Sequence, residues 1–298
     1  MTVVLRRRSF ADVVGVTMRR FARRTALLAL PFLLGFFLFY VLPFGRVVYY
    51  AVTKSAMDHR FVGLANFLET IRNPYFQLAA RNTVFFLLGG IPLVIVASFL
   101  LSLPLYHVVK SQSSFLHSAF ILPMLLPSAA VVVIIRLYFT SKVSPVADFL
   151  QRIGLDRGAL ALLSVYFIFL WKNAGFQIIL DLAALRSVPK DIQEAAALDG
   201  ANAVQRFEYI VFPWLRPTLL FGIILAGAQG LRIYRETYLL YGEYPQDSVY
   251  FLQHYMNNHF YKLNYQRIAS AALLLMAPLM LAAILVGICT RKGRENGA

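Results

Sequence analysis

Few residues in this chain have the type and spacing that catalysis needs. No lysine follows a glycine, so the G-x-x-x-x-G-K-[ST] phosphate loop is absent. His59, His107, His117, His254 and His259 never stand in H-x-x-x-H spacing, and the single Cys289 completes no zinc set. There is no G-x-S-x-G elbow. Lys172 and Asp181 are ionisable residues inside the apolar run over 159–185. Nine residues apart at 100° each, they point to opposite sides of a helix and do not form an obvious pair. Arg136 closes another apolar run, where a long cationic side chain can snorkel. A proton-coupled carrier would normally place an acidic relay in mid-span. Asp181 is the sole candidate and lies near the end of its run, which weighs against such a carrier. The chemistry left to this chain is recognition and movement rather than bond making.

The elements that would position such residues are membrane helices. The chain has 298 residues, of which 59% are hydrophobic and 14% charged, against about 25% charged in a soluble domain. Mean hydropathy is +0.64. These values exclude a disordered chain, a disulfide scaffold and most soluble enzymes. A helix crossing the bilayer core needs about 20 mostly apolar residues. Six runs qualify, near residues 26–52, 83–105, 115–135, 159–185, 213–235 and 268–289. The strongly apolar part of the fifth, Pro217–Leu231, is short and spans only if the polar stretch after Leu231 continues it. The runs are continuous rather than alternating, so strands of a membrane barrel are not expected. The predicted fold class is an all-α integral membrane protein of about six transmembrane helices.

Charge supplies the orientation. The net charge is +15, and Arg6, Arg7, Arg8, Arg19, Arg20, Arg23 and Arg24 precede the first run. By the positive-inside rule, residues 1–25 form a basic cytoplasmic tail, and six spans return residues 291–298 to the same side. The tail also suits anionic lipid at the membrane surface. No aromatics interleave with the arginines as a base-stacking platform requires, so nucleic acid is not an expected partner. The first run is too long for a signal h-region and lacks a small-residue cleavage site, so a cleaved leader is not expected. With this topology residues 54–81, 141–158 and 232–267 face outward, and 147–153 could form a short interfacial helix. The longest cytoplasmic connection after the tail is 186–212.

That connection contains Glu194-Ala195-Ala196-Ala197-Leu198-Asp199-Gly200-Ala201, continuing through Phe207, Ile210 and Phe212-Pro213. Asp191 or Asp199 can cap a helix, Glu194–Leu198 reads as a small-residue helical turn, and Gly200 is a natural stop. A second short helix over 201–212 would place Val204, Phe207 and Val211 on one face. The pattern predicts two short helices with an elbow, projecting from the membrane. Small alanines let a partner surface come close; a plain linker lying on the headgroups is the competing reading.

This stretch resembles the EAA loop of permease subunits of binding-protein-dependent ABC importers, whose pattern runs roughly E-A-A-x-x-D-G-A-x-x-x-x-x-F-x-x-I-x-L-P. Glu194, Ala195, Ala196, Asp199, Gly200, Ala201, Phe207, Ile210 and Pro213 match it, while Phe212 stands where Leu is usual. Phe61-Val62-Gly63-Leu64-Ala65-Asn66-Phe67, Leu122-Pro123, Trp171 with Gly175-Phe176, and Ala183-Ala184-Leu185-Arg186-Ser187-Val188-Pro189 are similar to the carbohydrate-uptake permeases of the maltose-transporter type. After the fifth span those permeases usually carry a T-x-G-G-P-like outer turn. Here Leu240-Tyr241-Gly242-Glu243-Tyr244-Pro245 is bulkier, so a larger, stiffer outer turn is expected.

The resemblance implies half of a membrane channel, a transport subunit rather than an enzyme. A second, unlike permease would complete the pore. Two ATP-binding cassette subunits would hold ATP and Mg, leaving no cofactor in this chain, and a solute-binding protein outside would deliver a carbohydrate. Glu194–Ala201, with Phe207 and Pro213, would couple to the ATPase. Substrate-contacting positions carried over from the family fall at Trp171, Asn173 and Phe176, and at Gln229, Gly230 and Ile233. Aromatic faces and amides are the groups a sugar needs. Lys172, Arg232 and Arg235 nearby would instead suit an anionic solute such as glycerol phosphate, Arg232 and Tyr234 could border the same cavity, and a polyamine was a further alternative cargo.

Overall fold

The computed structural model describes residues 29–55, 57–108, 114–127, 129–134 and 158–295. Residues 1–25, the interfacial helix expected at 147–153, Arg136 and residues 296–298 lie outside that range. Helix dominates, and among the described residues extended pairing is limited to one antiparallel bridge between Thr53 and Phe61. Among the described residues four helices are long and apolar enough to cross a membrane: α1 (Ala29–Val52), α3 (its apolar part Pro74–Tyr106), α5 (Leu160–Ser187 of Gly158–Ser187) and α7 (Ala203–Tyr241). Shorter or partly apolar helices are α2 (Ala65–Arg72), α4 (Ser114–Leu125), α6 (Lys190–Leu198), α8 (Leu252–Tyr261) and α9 (Tyr265–Glu295).

Prolines explain where these helices deviate. A proline has no N–H to give, and its ring presses on the carbonyl four residues back. Wide π turns at Phe37–Val41 and Phe207–Val211 contain the carbonyls four residues before Pro43 and Pro213. The wider turn moves each carbonyl aside, so both helices run on through their prolines. Consequently residues 201–212 do not form the separate second helix predicted from sequence. They open α7 itself, and the span gains its missing length at this end as well as beyond Leu231. The third run differs in the opposite sense. Its helix stops at Leu125 and resumes at residues 129–134. Leu126 precedes Pro127 and is pushed away from helical geometry by the proline ring. α3 begins at Pro74, so the last part of the segment 54–81 expected to face outward is already helical.

The chain divides into two compact units, one of residues up to 70 and from 263, the other of 71–262. In the first, α1 packs on α9, and Tyr50 stacks on Tyr265 with centroids 5.7 Å apart. The Asn66 amide donates to the Ala51 and Thr53 carbonyls at 3.0 and 2.8 Å, tying α2 to the end of α1. Arg267 pairs with Glu69.

The second unit is built on α3 against α5, with α4 and α7 packed on α5. Phe86 is its central ring, with Tyr166, Phe169 and Phe251 at centroid distances of 4.9, 5.2 and 5.3 Å. Van der Waals packing of small residues drives helix association in lipid. A Cβ on Gly175 would come within 1.8 Å of the Phe120 carbonyl oxygen, and one on Gly222 within 2.2 Å of Gln177 Oε1. Gln177 spends its amide on Asp181, donating at 2.8 Å one helical turn along α5. Lys172 and Asp181 thus have different partners, as their spacing predicts.

Candidate functional site

Two places in the second unit gather the residues singled out by the sequence. The first is the connection between α5 and α7. Pro189 is the N-cap of α6, and Asp191 lies in its first turn, where a carboxylate favours the helix dipole. The helix ends at Asp199. The Ala201 N–H donates to the Ala196 carbonyl at 2.9 Å and the Gly200 N–H to the Ala197 carbonyl at 3.1 Å. This is a Schellman closure, and it requires a left-handed residue at Gly200, whose φ is +86°. Asn202 then caps α7. Its Oδ1 accepts from the Gln205 N–H, while its own N–H donates to Gln205 Oε1, both at 2.9 Å. Asp199 therefore closes α6 rather than capping a helix start, and Asn202 is the cap that sequence reasoning missed. Its signal was present as an Asn followed three residues later by Gln.

This elbow is rigid at its feet and bare at its tip. Ala184, Leu185, Val188 and Leu215 form a buried cluster joined by Phe99, Leu103, Ile210, Val211 and Leu219. Trp214 Nε1 donates to Ser187 Oγ at 3.0 Å across the two feet. Between them Glu194, Ala195, Asp199 and Gly200 are exposed, and Ala196 and Ala201 are half-buried. Leu198 is 90% exposed. Phe207 does not join that face. It turns inward, with its ring 5.9 Å from Phe99. Pro213 lies six residues further along α7 and is exposed.

The second place is a cavity of about 320 Å³ bordered by the break after α4, the middle of α5 and the bend in α7. Met124 and Leu125 come from the end of α4, and Leu126 and Pro127 contribute non-helical backbone, a geometry tolerated at membrane depth where it lines a cavity. Beyond Gly230 the α7 ladder tightens. Arg232 donates to Gln229, Ile233 to Gly230 and Glu236 to Ile233. This turn brings Glu236 to Lys172, with Nζ 2.6 Å from Oε1. The lining includes Asn173, Gln229 and Ile233 together with Lys172, Arg232, Arg235 and Glu236. Asn173 donates to the Phe169 carbonyl at 2.7 Å, one turn back along α5. Tyr234 is not among the lining residues.

The six substrate-path positions therefore separate. Asn173, Gln229 and Ile233 meet at the cavity. Trp171, Phe176 and Gly230 do not line it. Trp171 lies one residue, and so about 100°, around α5 from Lys172 and is 38% exposed. A Cβ on Gly230 would meet Leu87 at 2.7 Å, so this glycine serves close packing. Glu236 was not among the sequence candidates. Its only signal was a carboxylate just past the fifth apolar run.

Long apolar helices with an exposed elbow and an internal polar cavity define a multi-pass membrane transport subunit. Residues 106–292 match the family described as binding-protein-dependent transport system inner membrane component. This chain belongs to that family, whose members are transport subunits. It is 31% identical over 226 residues to the arabinooligosaccharides transport system permease protein AraP of Halalkalibacterium halodurans, covering 71% of this chain and 69% of the relative. It is 29% identical over 209 residues to the sn-glycerol-3-phosphate transport system permease protein UgpA of Pectobacterium atrosepticum, covering 66% and 70%. Its fold is similar to that of a bacterial ABC transporter involved in the import of the acidic polysaccharide alginate. The TM-score is 0.69, with 23% identity over 92% of this chain and 96% of that one. A second structure of the alginate transporter, in complex with an alginate pentasaccharide-bound periplasmic protein, has the same score and identity.

Proposed function

We propose that this chain is one of two unlike permease subunits of an ATP-driven importer for a carbohydrate. A solute-binding protein outside the cell delivers the cargo, and two ATP-binding cassette subunits hold ATP and Mg on the cytoplasmic side. The chain sits in the cytoplasmic membrane with both termini inside. The observation that carries this reading is the elbow at residues 189–202. Its tip offers alanines, Gly200 and an exposed Leu198, while its feet are clamped into α3, α5 and α7. A partner that moves the tip moves three spans as one lever. Such motion around the cavity gives alternating access.

The experiment is a mild-detergent purification of the tagged chain from native membranes, followed by uptake in vesicles. Co-purification of an ATPase and a second six-span permease is expected. Recovery of this chain alone, where other transporters stay whole, would overturn the reading in favour of a self-sufficient carrier.

The cavity favours a specific second reading of the cargo. Lys172, Arg232 and Arg235 stand against the single carboxylate of Glu236. That excess of cations suits a sugar bearing carboxylate or phosphate. Competition of uptake by uronate or phosphorylated sugars, but not by neutral ones, would select it.

A further inference from the structure

The second unit contains another pocket, of about 360 Å³, at the far end of α3 from the elbow. Tyr75 lies on the first turn of α3, whereas Phe99 and Leu103 near its other end join the cluster that holds the elbow's feet. At 1.5 Å per residue the pocket is about 40 Å from that cluster. It faces the side from which cargo arrives in the proposed function, and the inference below rests on that reading. Tyr75, Tyr244, Tyr250, Tyr255, Asn258 and Lys262 are among its walls.

The chemistry of these walls is specific. Tyr75 and Tyr244 are 67% and 66% exposed, so their ring faces are available for stacking. Tyr250 and Asn258 are 8% and 5% exposed and bond to each other, Asn258 Nδ2 donating to Tyr250 Oη at 3.2 Å. That bond leaves Asn258 Oδ1 buried without a partner among the described residues. It also leaves the Tyr250 hydroxyl proton to be given elsewhere. Turning the amide over exchanges the two roles and still leaves an unused donor beside an unused acceptor. Burial pushes the Tyr250 phenol up to about 12, so it remains a neutral donor. A buried acceptor without a partner is costly. A donor and an acceptor side by side beneath exposed rings match adjacent hydroxyls on a sugar whose apolar face lies on tyrosine. The bulky turn Glu243-Tyr244-Pro245 contributes two of the pocket's walls, Tyr244 and Pro245.

We infer that this pocket is an outer carbohydrate subsite, separate from the membrane cavity, which holds one or two sugar rings at the mouth of the path. Its volume lies within the usual range for small-molecule sites, about 300–1,000 Å³. Tyr250 and Asn258 read a pair of adjacent hydroxyls, and Tyr244 and Tyr75 supply the stacking faces.

The test is saturation-transfer NMR on the full chain in lipid nanodiscs, with maltose, arabinobiose and digalacturonate each offered at millimolar concentration. At least one disaccharide should receive saturation. Tyr250→Phe and Asn258→Leu should weaken its affinity about fivefold to tenfold, the loss of one hydrogen bond. Tyr244→Ala and Tyr75→Ala remove exposed rings without touching the core, and should reduce the signal at unchanged melting temperature. Gln229→Leu, which removes any contribution of the membrane cavity, should leave the part of the signal that the outer variants abolish. A signal unaffected by all four outer variants overturns the subsite. So does a signal lost only in Gln229→Leu, although that result would leave the carbohydrate reading standing. No saturation with any of the three sugars also overturns it. Vesicle uptake of the same sugars, measured in parallel, shows whether the proposed function fails with it.

Discussion

Lys172 and Glu236 are the side chains whose pairing most constrains the cavity. Breaking a buried pair from one side leaves an uncompensated charge, at a cost of about 3–5 kcal/mol in a dry interior. This pair borders a cavity, so about 2–3 kcal/mol is the expected loss for Glu236→Gln. Lys172→Met combined with Glu236→Leu should recover most of it, and a thermal-melting double-mutant cycle in detergent measures the coupling. Additive losses would show that the two charges do not stabilise each other. Gln229 makes a different kind of contribution, since it lines the same cavity without carrying charge. If its amide meets cargo, Gln229→Leu should raise the uptake KM about tenfold while the assembled complex is recovered in normal amount. An unchanged KM with intact assembly would remove Gln229 from the path.

At the level of whole helices, the elbow and α8 lend themselves to separate tests. Gly200 has open space where a Cβ would stand, so any larger residue there meets only the left-handed backbone, at about 1–2 kcal/mol. Gly200→Trp should therefore reach the membrane in near-normal amount and yet lose transport, because the tip can no longer seat in a partner. Membrane fractionation beside uptake tests this, and normal uptake would sink the coupling role. In α8 the burial of His254 holds its imidazole at about 4, below the usual 6.5, while Nδ1 accepts from the Phe251 N–H at 3.1 Å. The unfolded chain takes up a proton more readily than the folded one between those values. Stability from this group is thus full above about 6.5 and falls as the pH drops toward 4. At 1.36 kcal/mol per unit the loss is at most about 3 kcal/mol. Hydrogen exchange across 251–261 at pH 7 and pH 5 should show faster opening at the lower pH, and His254→Gln should flatten the difference.

Taken as a whole, the chain acts in the proposed function as a lever driven by a partner ATPase. Uptake in inverted or right-side-out vesicles should follow ATP hydrolysis. Vanadate should abolish it, whereas a protonophore should leave it at about its original rate. The reverse pattern would indicate a carrier driven by the proton gradient. The cationic lining of the cavity adds a dependence on cargo charge, which acidic and neutral sugars in competition would reveal.

The apolar runs, the absence of catalytic spacing and the Glu194–Ala201 pattern are all legible in the sequence, because each depends on residues close together in the chain. Hydrophobic length follows from bilayer thickness, and the Gly200 stop follows from local backbone sterics. Asn202 with Gln205 was equally local and was overlooked. Other features could not be read in that way. Whether Pro213 breaks or bends α7 depended on a π turn four residues earlier, and the break at Pro127 acquires its role only beside α5 and α7. Asn173 and Gln229 share a cavity whereas Trp171 does not, since one residue turns a helix face by about 100° and only packing settles which face is inward. Glu236 finds Lys172 across 64 residues, and Asn258 finds the pocket beside Tyr75. Such contacts belong to helices brought together in space, so their energies leave no periodic trace in the sequence that encodes them.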